Sequence, residues 1–361
     1  MTYRSLSFAD TERSVIDDDP SIYVEFNVNI LIGKVLDKKY LIKEFIARGS
    51  QSNVFLAIDI ETEELVGMKI MRRYVDQEKQ KISEKNFKTE IGIHRYVNDR
   101  HRNLARLLDT GSLVEISGSY MYMILEYYPT DLFEEINVLE VGPSDQKFAY
   151  INDICNGISF LHEQKIYHRD LKPENIFLKG NGTCVIGDFG YSIPYNIHNQ
   201  VAGTFVYMSP ENYSTFISLK KGNYHVIPPS PLLGDIWSLG VLFINLFFFD
   251  MPWEIPCRKK DDRYKIFYEN PDLYLDSYFP RMEEKYRNIF KKCFHINPKK
   301  RYSSVEKMLD DINSTRFERP KKKSFLRNLF SDVQSDDQTD RHFSEPANMI
   351  HVTEKILNEY N

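Results

Sequence analysis

The sequence predicts an α+β fold with two lobes, a small antiparallel β lobe that carries one key helix and a larger lobe that is mainly helical. Three observations indicate this architecture. Short strand-like segments alternate with turns between residues 40 and 70. After residue 127, apolar residues recur at three- and four-residue steps, which is the period of helices. The segment 235–248 is apolar nearly all round, as expected for a helix at the centre of a domain.

Composition limits the class of protein. The 361 residues give room for one large or two modest domains, and 42% hydrophobic residues are ample for packed cores. A net charge of −5 is mild for this length, so neither DNA binding nor general membrane binding is expected. The four cysteines lie far apart and form no C-x-x-C pair, which favours buried thiols over a zinc site or a disulfide framework.

The N-terminal segment lacks the pattern of a signal peptide. Residues 1–20 are polar and acidic, a composition that predicts a flexible leader. No uninterrupted apolar run approaches the roughly 18 residues of a membrane span. The most apolar run, residues 239–249, is better explained as a buried helix. The expected location is therefore cytoplasmic, nuclear or both.

The first lobe is predicted to span residues 38–126, after an N-terminal leader at 1–37. Apolar and polar residues alternate over 22–30, which predicts an extra half-buried strand that covers apolar surface of this lobe. Residues 83–97 have helical character, with Glu90 in the middle. Strands are predicted at 40–46, 53–58, 64–70, 104–108 and 120–126.

The second lobe is predicted to span residues 127–317. A helix begins at the start signal Pro143-Ser144-Asp145, and further helices are predicted at 235–248, 286–294 and 305–312. The stretch 212–233 contains several prolines and is interpreted as a surface loop. Residues 318–361 are predicted to be a flexible tail, basic and then acidic. Its run Lys321-Lys322-Lys323 is either a nuclear-import signal or a solvated stretch.

Two short segments concentrate reactive polar groups. The first, from His168 to Asn175, contains Asp170 and Lys172, and the second is Asp188-Phe189-Gly190. An acid that can activate a hydroxyl, a carboxamide and a second carboxylate suit metal-dependent phosphoryl transfer. Each segment alone is common in turns. Their joint order and separation nevertheless favour the catalytic interpretation.

The patterns H-R-D-L-x-x-x-N and D-F-G resemble the catalytic and metal-binding loops of eukaryotic protein kinases, and the resemblance covers residues 38–316. It implies the two-lobed protein-kinase fold and the use of ATP and Mg²⁺. Asp170 would take the proton of the substrate hydroxyl, and Lys172 would stabilise the transferring phosphoryl group. Asn175 belongs to the same catalytic group and would also bind Mg²⁺ together with Asp188.

The same resemblance implies a nucleotide site. Lys69 would contact the phosphates and pair with Glu90, while Glu126 and Tyr127 would lie at the adenine. Gly67 and Phe177 would lie above and below the purine. The remaining residues assigned to the nucleotide are Ala47, Arg48, Gly49, Ser50, Gln51, Ser52, Val54 and Asp131.

Further matches lie outside the nucleotide site. Thr204 resembles the threonine near the acceptor in serine/threonine kinases, and lysine at position 172 is also similar to that class. Glu211 would pair with Arg301, and Asp235 would anchor the backbone of the catalytic loop. Within the serine/threonine kinases, the segments 126–133 and 244–253 look most like the fungal Ran/Pat-type nutrient and meiosis regulators.

The nucleotide loop departs from the family pattern. G-x-G-x-x-G-x-V becomes residues 47–54, in which only the middle glycine, Gly49, survives. Glycine permits close backbone approach, so we expect a stiffer and poorer phosphate cover. Gly67 stands where alanine is usual, and Phe177 stands where a smaller residue is common. We hypothesise that these two changes keep the volume of the pocket similar and alter nucleotide affinity.

The activation segment is the second departure. No Ser or Thr lies between Ile193 and Gly203, and Gln200 stands where many kinases carry a phosphorylated threonine. Arg169 would then lack its usual phosphate partner. The sequence therefore predicts a kinase that is active without phosphorylation of this segment.

Two functions from different classes are consistent with these residues. The first is a monomeric serine/threonine protein kinase that transfers the γ-phosphate of Mg-ATP to hydroxyls of protein substrates. Basic residues before the acceptor are expected because Glu174 and Asp131 match substrate-facing positions of some relatives. The second is a pseudokinase scaffold with weak or no catalysis. Only the eroded glycine loop supports the scaffold, whereas the catalytic positions are filled.

Overall fold

The computed structural model describes residues 22–24, 27–49, 51–115, 118–137, 144–194, 203–222 and 229–316. The chain divides into two units, Met1–Thr315 and Arg316–Asn361, and of the second only Arg316 is described. The predicted leader before residue 22, the tail after 316 with its lysine run, and position Gln200 lie outside the described residues.

Six strands of the first lobe form one antiparallel sheet. They are β1 (Val35–Leu36), β2 (Tyr40–Arg48), β3 (Ser52–Asp59), β4 (Leu65–Met71), β5 (Leu107–Glu115) and β6 (Gly118–Glu126). Their order across the sheet is β1-β2-β3-β4-β6-β5. Because side chains alternate between the two faces of a strand, one face packs into a core around Phe55, Met68 and Ile124, which are fully buried.

One long helix, α1 (Gln77–Val97), belongs to the same lobe. It begins before the predicted start because Asp76 caps it, with the Asp76 carboxylate accepting a hydrogen bond from the N–H of Lys79 at 2.7 Å. Its buried residues include Phe87, Glu90 and His94. A glutamate on a buried helix face requires a cationic or hydrogen-bonding partner.

Helices dominate the second lobe. They are α2 (Leu132–Asn137), α3 (Ser144–Glu163), α4 (Pro210–Lys220), α5 (Pro231–Phe248), α6 (Asp262–Glu269), α7 (Pro271–Tyr278), α8 (Glu284–Cys293) and α9 (Val305–Arg316). As predicted, α5 is central, with Ile236 and Trp237 fully buried. The Trp237 ring packs against Trp253, with 5.3 Å between the ring centroids. The predicted two-lobed α+β fold is confirmed.

Of the described helices, α5 alone is long and apolar enough to cross a membrane. However, 67% of its apolar window is buried inside the protein. Such burial is expected of a helix at the centre of a packed lobe.

Short strands support the loops that carry the two motifs. β7 (Thr130–Asp131), β9 (Ile176–Leu178) and β10 (Cys184–Ile186) form a three-stranded antiparallel sheet. β8 (Ile166–Tyr167) pairs with β11 (Ile193–Pro194). The β9–β10 hairpin connects the two motifs, so the loop that ends at Asn175 and the loop that begins at Gly187 lie side by side. The Gly187 N–H accordingly donates to the Asn175 carbonyl at 3.0 Å.

The predicted extra strand over residues 22–30 is wrong for the residues that the structure describes. Tyr23 makes a single antiparallel bridge with Tyr74, and Val28–Ile30 form a 3-10 helix. The Asn27 side chain accepts a hydrogen bond from the Asn29 N–H at 3.1 Å. This capping bond favours a turn of helix over continued extended backbone.

The predicted surface loop at 212–233 is also wrong at both ends, because α4 continues to Lys220 and α5 begins at Pro231. Pro210 occupies the first turn of α4, where proline is well tolerated. Tyr213 and Phe216 lie three residues apart and are both buried. Burial of these two rings on one helix face outweighs the loop signal from the prolines that follow.

Candidate active site

The loop from His168 to Asn175 is held by the carboxylate of Asp235. The N–H of His168 donates to Asp235 Oδ2 at 2.9 Å, and the N–H of Arg169 donates to Oδ1 at 2.7 Å. Asp235 lies in α5 and is fully buried, with His162 Nε2 at 2.8 Å from Oδ2. The predicted anchoring of this loop by Asp235 is confirmed. These contacts satisfy the buried carboxylate and fix the loop backbone in one position.

Asp170 lies at the centre of a hydrogen-bond network and is 3% exposed. Its Oδ1 accepts hydrogen bonds from the N–H and the hydroxyl of Thr204, each at 2.9 Å. The Asn175 amide donates to the Asp170 carbonyl at 2.8 Å and to Oδ2 at 3.2 Å. The Lys172 ammonium lies 3.4 Å from Oδ2. The three residues predicted to be catalytic are therefore in contact with one another, and the Asp170 carboxylate is held in one orientation.

Lys69 in β4 makes two ion pairs, one within the first lobe and one that connects the two lobes. Its ammonium lies 2.7 Å from Glu90 Oε1 in α1 and 2.8 Å from Asp188 Oδ1. The predicted Lys69–Glu90 pair is present. The same ammonium also reaches the aspartate of the second motif, a contact that the sequence did not indicate. A buried lysine held by two carboxylates has a fixed position and a fixed charge.

Burial and mutual charge set the protonation of these three groups. Burial by itself would lower the pKa of Lys69, but Asp188 and Glu90 raise it above its ordinary value. Burial by itself would raise the pKa of Asp188, yet the Lys69 ammonium brings it well below its ordinary range. Burial raises the pKa of Glu90 to about 7, with Lys69 acting in the opposite direction. At neutral pH, Asp188 is therefore the firmly ionised partner of the ammonium.

Asp188 occupies a strained backbone position that the following ring stabilises. Its φ of 54° lies in the left-handed region, and its Oδ1 accepts a hydrogen bond from the Gly190 N–H at 3.2 Å. Phe189 is fully buried. Its ring lies 4.6 Å from that of His94 in α1 and 5.8 Å from that of His168, measured between centroids. Packing on both sides of Phe189 holds Asp188 where its carboxylate meets Lys69.

A cavity lies between the sheet of the first lobe and the loops of the second. Leu125 to Tyr128, at the end of β6 and just after it, form one side of the cavity. The lining residues are Ile46, Ala47, Gly49, Ser52, Val54, Gly67, Lys69, Glu90, Ala105, Leu125, Glu126, Tyr127, Tyr128, Glu174, Asn175, Phe177 and Asp188.

Most of the residues assigned to the nucleotide line this cavity. Arg48, Gln51 and Asp131 do not, and Ser50 lies outside the described residues. The Asp131 carboxylate instead caps α2, accepting the N–H of Glu134 at 2.8 Å. Ile46, Ala105 and Tyr128 also line the cavity and were missed by sequence reasoning. The alternation along β2 could have indicated Ile46, two residues before the end of that strand.

Asp188 and Asn175 have the chemistry of a magnesium site. Among the residues that the structure describes, no group of three His, Cys, Asp or Glu could hold a metal ion alone. Mg²⁺ is usually held by one or two protein oxygens, with substrate phosphates and waters as its other ligands. The Asn175 NH₂ group is used by Asp170, so its carboxamide oxygen remains as a ligand. Asp188 and Asn175 therefore fit Mg²⁺ when substrate phosphates and waters supply its other ligands.

Phe177 forms an aromatic floor in the cavity. Its ring stacks on that of Tyr128, with 5.5 Å between centroids and 11° between planes. A Cβ on Gly187 would lie 2.5 Å and 2.9 Å from two ring carbons of Phe177. A Cβ on Gly67 would meet its nearest atom, the Leu125 carbonyl oxygen, only at 3.8 Å. The residue that accommodates the large ring is therefore Gly187, while the compensating role of Gly67 stays a prediction.

The segment after Gly190 is tied to the catalytic loop. Nη1 of Arg169 donates to the Tyr191 carbonyl at 3.3 Å. Burial lowers the pKa of Arg169 to about 10, and Asp235 opposes this effect, so the guanidinium remains charged at neutral pH. Residues 195–202, including Gln200, lie outside the described residues.

Beyond this segment, Arg301 makes the predicted ion pair with Glu211. Its two terminal nitrogens donate to the two Glu211 oxygens at 2.6 Å and 2.8 Å. This bidentate pair joins the start of α4 to the end of the second lobe. The predicted pairing is confirmed.

The sequence matches the protein kinase domain family over residues 40–312, which is most of the chain. The chain belongs to the protein kinase family. The two-lobed protein-kinase fold expected from the motifs is therefore confirmed. The loop from His168 to Asn175 and the residues that line the cavity beside Lys69 lie within the matched residues.

Named relatives agree with the finer resemblance. The chain is 32% identical over 251 residues to serine/threonine-protein kinase VHS1 of Saccharomyces cerevisiae, covering 65% of this chain and 52% of that protein. It is 28% identical over 300 residues to the negative regulator of sexual conjugation and meiosis of Schizosaccharomyces pombe, covering 78% and 61%. The predicted resemblance to fungal serine/threonine kinases is confirmed.

The similarity extends beyond fungi. Aurora kinase A-A of Xenopus laevis is 27% identical over 272 residues, which cover 73% of this chain and 60% of that protein. The chain thus spans about half to three fifths of the length of these three relatives.

Proposed function

We propose that this chain is a serine/threonine protein kinase that transfers the γ-phosphate of Mg-ATP to Ser or Thr hydroxyls of protein substrates. The proposal rests on two sets of side-chain contacts that are present together, one around Lys69 and one around Asp170. Lys69 contacts both Glu90 and Asp188, while Asp170 is held by Thr204 and Asn175. Phosphoryl transfer depends mainly on such positioning and electrostatic stabilisation.

The cavity suits ATP with its adenine beside Glu126 and Tyr127 and its phosphates towards Lys69. Phe177 and Val54 would enclose the purine, because both line the cavity. Asp188 and Asn175 would hold Mg²⁺, which would neutralise phosphate charge when bound. The low pKa of Asp188 beside Lys69 keeps this carboxylate ionised and ready for a cation.

Asp170 would orient the substrate hydroxyl and take its proton. The Asp170 carboxylate is oriented by Thr204 and Asn175, so its general-base function needs no rearrangement of the side chain. Lys172, 3.4 Å from Asp170 Oδ2, would stabilise the transferring phosphoryl group. These roles make Asp170, Lys172 and Asn175 the proposed catalytic group.

We further propose activity without phosphorylation of the activation segment. The contacts of Lys69 and Thr204 are formed with unmodified residues, and Arg169 contacts the Tyr191 carbonyl and, through its backbone, Asp235. These contacts hold Arg169, Asp170 and Asp188 in place and support the proposal. The test compares phosphatase-treated with untreated kinase, and maps phosphosites by mass spectrometry. Loss of activity traced to a phosphosite in 191–209 would contradict it.

Protein substrates with a basic residue before the acceptor are proposed from the charge near the cleft. Burial raises the pKa of Asp131 to about 6, with the charges of Glu174 and Glu134 acting in the same direction. Asp131 and Glu134 are joined by the capping hydrogen bond at 2.8 Å, and at pH 7 the carboxylates of Asp131, Glu134 and Glu174 would attract Arg or Lys. A peptide array scanned at each position before the acceptor tests this preference. Equal use of basic and neutral peptides would remove it.

We propose a monomer located in the cytoplasm, the nucleus or both. The mild net charge of −5 and the buried α5 support a protein that works without a membrane span. Light scattering during gel filtration would measure the oligomeric state, and a mass of two chains would overturn the monomer.

Neutral substitution of Lys321, Lys322 and Lys323 tests nuclear import. An unchanged distribution of the protein between nucleus and cytoplasm would exclude a role for this lysine run.

The alternative is a pseudokinase scaffold, and a single observation favours it: only Gly49 remains of the three loop glycines. A transfer assay with Mg-ATP that compares the parent with Asp170→Asn and Asp188→Asn separates the two functions. The kinase requires parent activity far above both variants. Parent activity equal to that of the variants would favour the scaffold.

A further inference from the structure

The nucleotide loop has lost two glycines, yet one residue outside it fixes its backbone. Arg72, directly after β4, donates its N–H to the Gln51 carbonyl at 2.8 Å and its Nη1 to the Gly49 carbonyl at 3.0 Å. The turn between these acceptors is closed by the Gly49 N–H, which donates to the Ser52 carbonyl at 2.8 Å. Arg72 therefore bonds to two residues of the loop, Gly49 and Gln51.

The guanidinium of Arg72 is itself held by an aromatic ring from the N-terminal segment. Its central carbon lies 3.4 Å from the centroid of the Tyr23 ring. Tyr23 is only 8% exposed, and its ring packs 4.7 Å from that of Tyr74. Guanidinium groups stack well on aromatic faces while their N–H groups stay free to donate in the plane. The stacking thus directs Arg72 towards Gly49.

Backbone hydrogen bonds place Tyr23 in this position. The Val24 N–H donates to the Arg73 carbonyl at 2.8 Å, and the Val75 N–H donates to the Ile22 carbonyl at 2.9 Å. These bonds flank the Tyr23–Tyr74 bridge. We call Ile22–Val24 the strap, because it lies across the segment that follows β4. The register of the strap, and not only side-chain packing, determines where the Tyr23 ring lies.

We infer that Tyr23 is a positioning residue for nucleotide binding, because it holds Arg72 in the orientation that keeps the nucleotide loop closed over the phosphates. The inference rests on the proposed use of ATP. Arg72 thus holds from outside a loop in which the loss of two glycines already limits close approach to the phosphates. Neither Tyr23 nor Arg72 lines the cavity, so the strap sets nucleotide affinity and not the rate of phosphoryl transfer.

The test uses the full chain and the variants Tyr23→Ala, Tyr23→Phe, Arg72→Ala and the double alanine variant. For each protein we would measure the Kd for a fluorescent ATP analogue with Mg²⁺, the steady-state KM for ATP and kcat. Tyr23→Ala should raise Kd and KM about threefold to thirtyfold and leave kcat within about twofold. Tyr23→Phe keeps the ring and should resemble the parent. The double variant should be no weaker than Arg72→Ala alone, because Tyr23 acts through Arg72.

Arg73→Ala is the matched control, since the Arg73 guanidinium lies against Gly118 and near Tyr120, 5.7 Å from its ring centroid. Hydrogen exchange of the nucleotide-free protein gives an independent readout. Peptides covering Gly49–Val54 should exchange faster in Tyr23→Ala than in Arg73→Ala. Unchanged Kd and loop exchange in Tyr23→Ala, or additive effects in the double variant, would overturn the inference. Because analogue binding and exchange need no phosphoryl transfer, failure of the proposed kinase activity would be seen separately.

Discussion

Asp170 Oδ1 accepts two hydrogen bonds from Thr204, one from its N–H and one from its hydroxyl, each at 2.9 Å. The hydroxyl bond can be removed without changing the shape of the side chain. Thr204→Val should lower kcat roughly tenfold to hundredfold, the effect of losing a hydrogen bond to a charged group, with the KM for ATP nearly unchanged. Thr204→Ser keeps the hydroxyl and is the matched control. Equal kcat values for the Val and Ser variants would contradict the orienting role.

Gly187 should be required because the Phe177 ring lies where its Cβ would be. In Gly187→Ala the new methyl group must displace two ring carbons at 2.5 Å and 2.9 Å. We expect a stability loss of about 1–3 kcal/mol and weaker nucleotide binding, measured by urea unfolding and by fluorescent nucleotide titration. Adding Phe177→Leu to Gly187→Ala should restore most of the lost stability and most of the nucleotide affinity. Gly180→Ala, where a Cβ meets no atom within 4 Å, should be neutral. Failure of Phe177→Leu to rescue would show that the ring is not the obstacle.

Glu211 and Arg301 should be strongly coupled in stability. The Arg301 guanidinium is fully buried, and Glu211 binds it through two oxygens, so Glu211→Ala leaves a buried charge without its partner. A loss of about 3–5 kcal/mol in the free energy of unfolding is expected. The exposed pair of Lys81 and Glu78 is the control, and Glu78→Ala should leave the unfolding midpoint unchanged. Similar losses in the two alanine variants would contradict the importance of burial.

His94 should make the stability of the fold depend on pH in the acid range. Burial lowers its pKa from 6.5 to about 3, and the nearby Lys69 ammonium acts in the same direction. The unfolded chain therefore binds a proton that the folded chain refuses, so stability is lost as pH falls from about 6.5 towards 3. His94→Leu keeps an apolar contact with Phe189 and removes this proton. Between pH 7 and pH 5 the parent should lose about 2 kcal/mol more than the variant. If urea unfolding showed the same loss of stability in the parent and in His94→Leu between these pH values, the role of His94 would be contradicted.

The residues proposed to be catalytic could be found in the sequence because they lie in two short, local motifs. Asp170, Asn175 and Asp188 come from segments joined by one hairpin, so chain order already brings them together. The Lys69–Glu90 pair followed from the resemblance to the protein kinases, in which a strand lysine pairs with a helix glutamate. The contact of Lys69 with Asp188 was not predicted, because that contact depends on how the two lobes pack.

The parts that sequence reasoning missed depend on long-range packing. Tyr128 lines the cavity because its ring stacks on Phe177, 49 positions further along the chain. Tyr23 makes one bridge where a longer strand was expected, since alternation cannot show how far a neighbouring strand extends. Helices α6 and α7 are too short for a clear period, and the cap of α7, Asn270, also ends α6.

The central claim is that Asp170 accepts the proton of the substrate hydroxyl in a reaction that uses ATP bound in the cavity. The most direct measurement compares the parent with Asp170→Asn in two assays, transfer of labelled γ-phosphate to a protein substrate and binding of fluorescent ATP with Mg²⁺. The account predicts a loss of roughly 10²–10⁴-fold in kcat with nucleotide affinity within about twofold, and label on Ser or Thr of the substrate. Equal transfer by parent and variant, or no transfer by the parent despite tight nucleotide binding, would contradict the account.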